Sequence, residues 1–243
     1  MQAVLYIAHG SRIQEACNQA RSFINKCIQQ ISVPIQEICF LELASPSIEE
    51  GFARCIEQGA TKIAVVPVLL LSAGHAKKDI PNKLKEMNNR FPHVEISYGR
   101  PFGVHHKIVD VIMERIREQQ VAIHHDAMVL LVGRGSSDPQ VKQDLGEIAS
   151  LLQRRYPFKR IETCFLAAAE PSFEEGLELA KTYDHKQVFI IPYLLFTGVL
   201  MNQMKNTIRK LSNSNQQFIL CTYLGYHPYL RDVVNERVQE QME

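Results

Sequence analysis

The chain has 243 residues, of which 46% are hydrophobic and 22% charged, and its formal net charge at pH 7 is +1. This composition is typical of a globular protein with one large domain or two domains of ordinary size. No basic stripe supports nucleic-acid binding, and no apolar stretch reaches the roughly 20 residues that a membrane span requires. The first residues lack a basic region and run directly into a strand-like segment, so we expect no signal peptide.

The first half of the chain alternates predicted strands with predicted helices. Short apolar runs predict four strands, at residues 3–8, 36–43, 65–71 and 94–98. Helical spacing and typical end residues predict four helices, at residues 13–27, 46–59, from 81 onward, and 104–118. This alternation predicts an α/β fold with a parallel, doubly wound sheet and right-handed crossovers.

The same pattern then starts again. Residues 40–51 align with residues 165–176 at an offset of 125, with eight identities in twelve positions. At that offset residues 66–70 also align with 191–195, and residues 8–11 with 133–136. Residues 103–105 match residues 225–227 at an offset of 122. We therefore predict an internal duplication, with a first repeat at residues 1–120 and a second at residues 126–243.

Three reactive side chains follow strands of the first repeat. His9 comes after the first strand, Glu42 lies near the end of the second, and His75 comes just after the third. The carboxyl ends of parallel strands meet at one edge of a sheet, so these side chains can converge. The second repeat has different residues at the matching positions, namely Arg134, Ala167 and approximately Val199. A residue needed only for folding should persist in both repeats. Because His9, Glu42 and His75 are all replaced in the second repeat, we predict that these three residues have a functional role.

His105 and His227, in contrast, occupy matching positions at predicted helix starts. Because both repeats keep this histidine, we predict that it has a structural role.

Two neutral imidazoles and one carboxylate form a ligand set suited to Fe²⁺, Co²⁺ or Ni²⁺. The same groups can accept protons near neutral pH. A structural zinc site would need a fourth ligand, so an open, partly coordinated metal is the better fit. Whether Glu42 acts as a ligand or as a proton acceptor is left open by the sequence.

The six cysteines are scattered and include no Cys-x-x-Cys pair, which argues against a zinc knuckle or an iron–sulfur cluster. Most of them lie within apolar patterns. We therefore expect buried, reduced thiols and a cytoplasmic protein.

Several motifs together resemble one family. They are Ala-His-Gly-Ser-Arg at residues 8–12, the helix opening at 46–51, the stretch 66–80 around His75, and Gly-x-His at 103–105. In combination they resemble the class II tetrapyrrole chelatases, in the long, duplicated form that acts on sirohydrochlorin, namely the sirohydrochlorin ferrochelatases and their cobaltochelatase relatives. The resemblance covers essentially the whole chain.

This resemblance implies two flavodoxin-like domains facing each other across a cleft, and a lyase-class enzyme that needs neither ATP nor an organic cofactor. It implies that His9 and His75 handle the metal, with Glu42 as their acidic partner. We expect insertion of Fe²⁺ into sirohydrochlorin, which forms siroheme and releases two protons. Insertion of Co²⁺ or Ni²⁺, and a non-enzymatic carrier of metal or tetrapyrrole, remain alternatives.

Sirohydrochlorin is a flat apolar ring bearing many carboxylates, so its site should combine an apolar slot with cationic side chains. The candidates for substrate binding are Arg12, Lys77, Arg100 and Arg134. Lys77 also fits a solvated helix face. Arg134 replaces His9 in the second repeat, so one repeat would supply chemistry and the other substrate binding. Because the duplicated chain already supplies two lobes, we expect a monomer.

Two phosphate-binding alternatives are less well supported. Residues 8–12 have a weak similarity to the Arg-His-Gly opening of phosphohistidine phosphatases, but Ala8 stands where the charge-neutralising arginine would be. The segment at residues 133–138 lacks a third glycine and any Gly-Lys-Ser/Thr element, so a dinucleotide site is not expected.

Overall fold

The computed structural model describes residues 1–183, 185–210 and 216–242. Within them the strands are β1 Gln2–Ala8, β2 Ile35–Phe40, β3 Lys62–Val68, β4 Glu95–Tyr98, β5 Met128–Gly133, β6 Arg160–Phe165, β7 Gln187–Tyr193 and β8 Gln217–Leu220. The helices are α1 Gln14–Ile28, α2 Ile48–Glu57, α3 Ile80–Arg90, α4 His106–Arg117, α5 Pro139–Arg155, α6 Phe173–Thr182, α7 Val199–Arg209 and α8 Pro228–Gln239. A π-helical turn, His75–Asp79, leads into α3.

The strands form two four-stranded parallel sheets, in the orders β2-β1-β3-β4 and β6-β5-β7-β8. When the strands of each repeat are numbered from one, both sheets have the order 2-1-3-4. This order is the first part of the flavodoxin-like order 2-1-3-4-5. The register is also repeated: Ala8 lies beside Phe40 and Val68, and Gly133 lies beside Phe165 and Tyr193. The predicted α/β fold and its duplication are therefore confirmed.

Apolar side chains of the central strands form the core of each sheet. Residues 3–8 of β1 and 63–68 of β3 are all buried, as expected for strands covered on both faces. The helices that cover them start at well-defined caps. Ser47 and Glu50 form a capping box at α2, and Ser172 and Glu175 form the same arrangement at α6.

The second and third strands differ from their predicted bounds. β2 ends at Phe40 rather than at residue 43, and Leu43 adopts a φ of 60°, which is incompatible with an extended strand. Ala168, which matches Leu43 in the second repeat, has a φ of 53°. β3 starts at Lys62 and ends at Val68, so the apolar residues 69–71 belong to the loop before His75.

The chain divides into two compact units that do not follow the repeats throughout. The first unit contains residues 1–103 and 230–243, and the second contains residues 104–229. The last helix of the second repeat, α8, thus belongs to the first unit. Arg237 of α8 is almost fully buried there, and its guanidinium donates to the carbonyl oxygens of Pro101 and Phe102 at 3.0 and 2.7 Å.

The last helix of the first repeat, α4, belongs in turn to the second unit. It packs against α5 and β7. The compact units therefore differ from the predicted division at residues 120 and 126 by an exchange of the final helix of each repeat.

All six cysteines are buried and none forms a disulfide, as predicted from their positions in apolar patterns. Burial raises the pKa of Cys55 and of Cys164 to about 12, so these thiols stay protonated at neutral pH. Among the described residues, no helix combines the length and the hydropathy that a membrane span would need.

Candidate active site

The ends of β1 and β2 are held together through a glycine. Gly10 has a φ of 90°, and a Cβ added there would overlap the carbonyl oxygen of Glu42. The backbone N–H of Glu42 donates to the carbonyl oxygen of His9 at 3.1 Å. Because Gly10 has no side chain, the loop that carries Glu42 can lie directly against the loop that carries His9.

Three reactive side chains meet at this edge of the first sheet. One donor atom from each of His9, Glu42 and His75 lies within 4.8 Å of the other two. Nε2 of His9 is 3.8 Å from Oε1 of Glu42, and the rings of His9 and His75 are 4.8 Å apart at 86° to each other. The predicted convergence of the three side chains is confirmed.

His75 is the first residue of the π-helical turn, and Asp79 is the last. Nδ1 of His75 lies 2.7 Å from Oδ2 of Asp79. The backbone N–H of Ile80 donates to the carbonyl oxygen of His75, which is the bond that widens this turn. With Nδ1–H donating to the carboxylate, Nε2 is the nitrogen of His75 that can bind a metal.

A tyrosine of β4 supports the same turn. The hydroxyl of Tyr98 donates to the carbonyl oxygen of Ala76 at 2.9 Å. Burial raises the pKa of Tyr98, so the hydroxyl remains protonated and available as a donor. This hydrogen bond therefore connects the turn that carries His75 to strand β4.

The three side chains differ in the fraction of their surface that is exposed to solvent. His9 is 19% exposed, His75 is 32% exposed and Glu42 is 43% exposed. A metal held by the two imidazoles would therefore keep open coordination positions. Glu42 has the solvent contact that a group passing protons to water requires.

The four predicted substrate-binding cations occupy different places. Arg12 is exposed on the loop from His9 to α1, and Lys77 is exposed on the π-helical turn, two residues after His75. Arg100, on the loop after β4, makes two hydrogen bonds to the carboxylate of Glu240, at 3.1 and 2.7 Å, and these bonds raise its pKa. Arg134 is exposed directly after β5, in the second unit.

The second unit has the same loop frame without the reactive groups. Gly135 has a φ of 89°, and a Cβ there would overlap the carbonyl oxygen of Ala167. The backbone N–H of Ala167 donates to the carbonyl oxygen of Arg134 at 2.9 Å. After β7 the chain enters α7 at Val199 as an ordinary α-helix. The geometry was therefore duplicated while the histidines and the carboxylate were not.

The predicted structural role of the matching histidines is confirmed. Nδ1 of His105 accepts a hydrogen bond from the backbone N–H of Lys107 at 3.2 Å, and Nδ1 of His227 accepts one from Tyr229 at 3.3 Å. Each histidine caps the start of a helix.

Two features were not predicted from the sequence. The first is the pairing of Asp79 with His75, although a histidine and a carboxylate four residues apart in a helix are a recognisable signal. The second is a cluster of His124, His125 and Asp126, for which three consecutive donor residues are the only sequence signal.

Comparisons with known proteins show what the chain is similar to. A family model described as CbiX matches residues 3–119 and 128–241. A sirohydrochlorin ferrochelatase from Priestia megaterium is 58% identical over 239 residues, which cover 98% of this chain and 90% of that protein. A sirohydrochlorin cobaltochelatase from the same species is 36% identical over 249 residues, covering 100% of this chain and 81% of that protein.

A solved structure has the same fold over nearly the full length. SirB from Bacillus subtilis with Fe³⁺ is 46% identical and superposes with a TM-score of 0.93, covering 99% of this chain and 95% of that one. The family model spans both repeats, and the relatives are similar over almost the entire sequence. The chain belongs to the CbiX family.

Proposed function

We propose that this chain is a sirohydrochlorin chelatase that inserts Fe²⁺ into sirohydrochlorin, forming siroheme and releasing two protons. The observation that carries the proposal is the convergence of His9, Glu42 and His75 at one sheet edge, in a chain 58% identical to a sirohydrochlorin ferrochelatase. We further propose that the reaction belongs to the lyase class and needs neither ATP nor an organic cofactor. We also propose that the protein is monomeric and cytoplasmic.

His9 and His75 hold the incoming Fe²⁺ through neutral imidazole nitrogens. Nε2 of His9 faces Glu42, and the bond from Nδ1 of His75 to Asp79 leaves Nε2 of His75 for the metal. Imidazole is a suitable ligand for iron, and an incomplete set of protein ligands lets the ion leave. A complete ligand set would retain the metal rather than transfer it to the ring nitrogens.

Glu42 takes up a proton released by the macrocycle or adds an oxygen ligand to the metal. Metal insertion displaces two pyrrole N–H protons, so the site needs a base close to the ion. Glu42 is 3.8 Å from Nε2 of His9 and is substantially exposed. The exposure favours the proton-accepting role, because a base must pass its proton on to solvent before the next turnover.

Cationic side chains bind the carboxylates of the substrate. Arg12 and Lys77 are close in sequence to His9 and His75, and Arg134 occupies the position of His9 in the second repeat. Arginine can bind a carboxylate through two parallel N–H bonds. Arg100 would have to exchange Glu240 for a substrate carboxylate.

Cobalt insertion is the second candidate function. It is favoured by the 36% identity to a sirohydrochlorin cobaltochelatase over the whole of this chain. The ferrochelatase of the same species is considerably more similar, at 58% identity. Two imidazoles and a carboxylate accept either ion, so the preference for iron rests on that difference in identity.

Time-resolved absorbance of sirohydrochlorin with Fe²⁺, Co²⁺ or Ni²⁺ tests the proposal. Without added ATP, we expect multiple turnovers with Fe²⁺, and their loss in His75→Ala. Capture of one equivalent without turnover would identify a carrier. Full metal insertion by a normally folded His75→Ala chain would contradict the assignment of the site.

A further inference from the structure

A second group of metal-binding side chains lies outside the candidate active site, on the turn between α4 and β5. His124, His125 and Asp126 each offer a donor atom, and these atoms all lie within 4.8 Å of one another. We propose that this linker turn, residues 122–127, binds a divalent late first-row transition ion. It shares no residue with the candidate active site, and the proposal does not rest on the proposed function.

The backbone of the linker turn is fixed by a buried glutamine. Gln187, the first residue of β7, is only 4% exposed. Its side-chain oxygen accepts from the backbone N–H of His124 at 2.9 Å, and its nitrogen donates to the carbonyl oxygen of Ala122 at 3.0 Å. A further bond, from the N–H of Ala127 to the carbonyl oxygen of His124 at 3.0 Å, closes the turn. The donor side chains therefore project from an ordered backbone.

The carboxylate of Asp126 is also held in place. Its Oδ2 accepts from the backbone N–H of Lys186 at 3.3 Å, and its Oδ1 lies 3.0 Å from Nδ1 of His124. The hydrogen bond from the backbone of Lys186 lowers the pKa of Asp126. A carboxylate has about four lone-pair sites, so Asp126 can keep the bond from Lys186 and still bind an ion.

The two imidazoles determine which metal ions the linker turn can bind. An ion bound by both His124 and Asp126 would replace the contact between Nδ1 and Oδ1, because Nε2 lies on the far side of the ring from the carboxylate. The rings of His124 and His125 are 5.5 Å apart, and both side chains are exposed and can rotate to reach metal–nitrogen distances of about 2.0–2.1 Å. Two nitrogens and one oxygen suit Co²⁺, Ni²⁺, Cu²⁺ or Zn²⁺, whereas Mg²⁺ and Ca²⁺ prefer oxygen ligands. Water would fill the other positions, so the ion would exchange readily.

Equilibrium dialysis against Ni²⁺ tests the linker turn separately from the active site. The starting chain is the full-length His9→Ala/His75→Ala variant, which lacks both active-site histidines. We expect it to retain one equivalent of Ni²⁺. Adding His124→Gln and His125→Gln should abolish that equivalent, and adding Asp126→Asn instead should weaken binding by about 10- to 100-fold.

His93→Gln is the matched control, because His93 is exposed and lies outside the clusters found among the described residues. This substitution should leave Ni²⁺ binding unchanged, with circular dichroism verifying that every variant is folded. The inference would be overturned if the starting chain bound no Ni²⁺, or if the double glutamine variant bound it as tightly as the starting chain.

Discussion

The carboxylate of Asp79 lies 2.7 Å from Nδ1 of His75, at the opposite end of the same π-helical turn. Such a carboxylate orients a metal-binding imidazole and increases its basicity. In a site that uses few protein ligands, the direction in which each imidazole nitrogen points is important for metal transfer.

Replacing Asp79 should therefore weaken metal handling without unfolding the chain. We expect Asp79→Ala to raise the KM for Fe²⁺ by about 10- to 100-fold. Asp79→Asn should restore part of the loss, because an amide oxygen still accepts the Nδ1–H bond. Steady-state kinetics at varied Fe²⁺ measures both effects. The control is Lys78→Ala, because Lys78 is an exposed neighbour on the same turn. Equal effects of Asp79→Ala and Asp79→Asn would argue against a role of Asp79 in orienting His75.

Glu42→Gln separates the two roles proposed for this residue. The amide keeps an oxygen near the metal but cannot accept a proton from the ring. We expect kcat to fall by about 100-fold or more while Fe²⁺ affinity stays close to that of the wild type. Single-turnover absorbance together with metal titration measures the two quantities. If metal affinity fell and kcat persisted at saturating Fe²⁺, Glu42 would instead be a ligand.

Arg134→Ala should lower substrate affinity and leave the rate of the bound complex almost unchanged. Arg134 has the position of His9 but lies in the repeat that lacks the reactive groups. Loss of a charge-assisted contact to a carboxylate costs about 1.5–3 kcal/mol, which corresponds to a rise in Kd of about 10- to 160-fold. Fluorescence or absorbance titration with metal-free sirohydrochlorin measures this change. Arg209→Ala, at an exposed arginine near the end of α7, is the control, and an unchanged Kd in Arg134→Ala would remove the proposed role.

Arg237→Met should destabilise the fold. The guanidinium bonds to the carbonyl oxygens of Pro101 and Phe102 and to Glu240, and its loss leaves both carbonyls without these donors. We expect a decrease of about 2–4 kcal/mol in the free energy of unfolding, measured in urea. Arg117→Met is the matched control, because Arg117 also pairs with a glutamate three residues away but is largely exposed. This substitution should lower the free energy of unfolding by less than about 1 kcal/mol.

The same contact predicts an acid dependence. The pKa of Glu240 is lowered below the ordinary 4.5, first by its hydrogen bond to Arg100 and further by the charge of Arg237. This stabilisation is fully present above the unfolded pKa and disappears as pH falls through the lower folded pKa. Urea unfolding of the wild type should therefore show stability decreasing below about pH 4.5, and Glu240→Gln should reduce that decrease. An identical acid profile in the variant would contradict this explanation.

The sheets and the three converging side chains could be predicted from the sequence because the duplication provides an internal comparison. Pro67 and Pro192 persist at matching strand positions, while His9 and His75 do not. The destination of α8 could not be predicted. Its apolar face specifies burial, but hydrophobic spacing does not identify which of two similar units will bury it. In the structure, residues 230–243 belong to the first unit, and Arg237 bonds to residues 101 and 102.

The orientation of the active-site groups was also beyond sequence reasoning. A helix start was predicted near residue 81, but the wider turn at residues 75–79 depends on an N–H of residue 80 reaching back five residues. Glu42 was predicted near the end of a strand and lies two residues beyond β2, directly before Leu43 in its left-handed conformation.

The exchange of the final helices has a consequence for biosynthesis. Every residue of the second unit, 104–229, leaves the ribosome before the segment 230–243 that completes the first unit. Domains generally fold as units during synthesis, the amino-terminal one first. Here the first unit lacks residues 230–243 until the whole of the second unit has been synthesised. The half of the protein that is made first is therefore the half that is finished last.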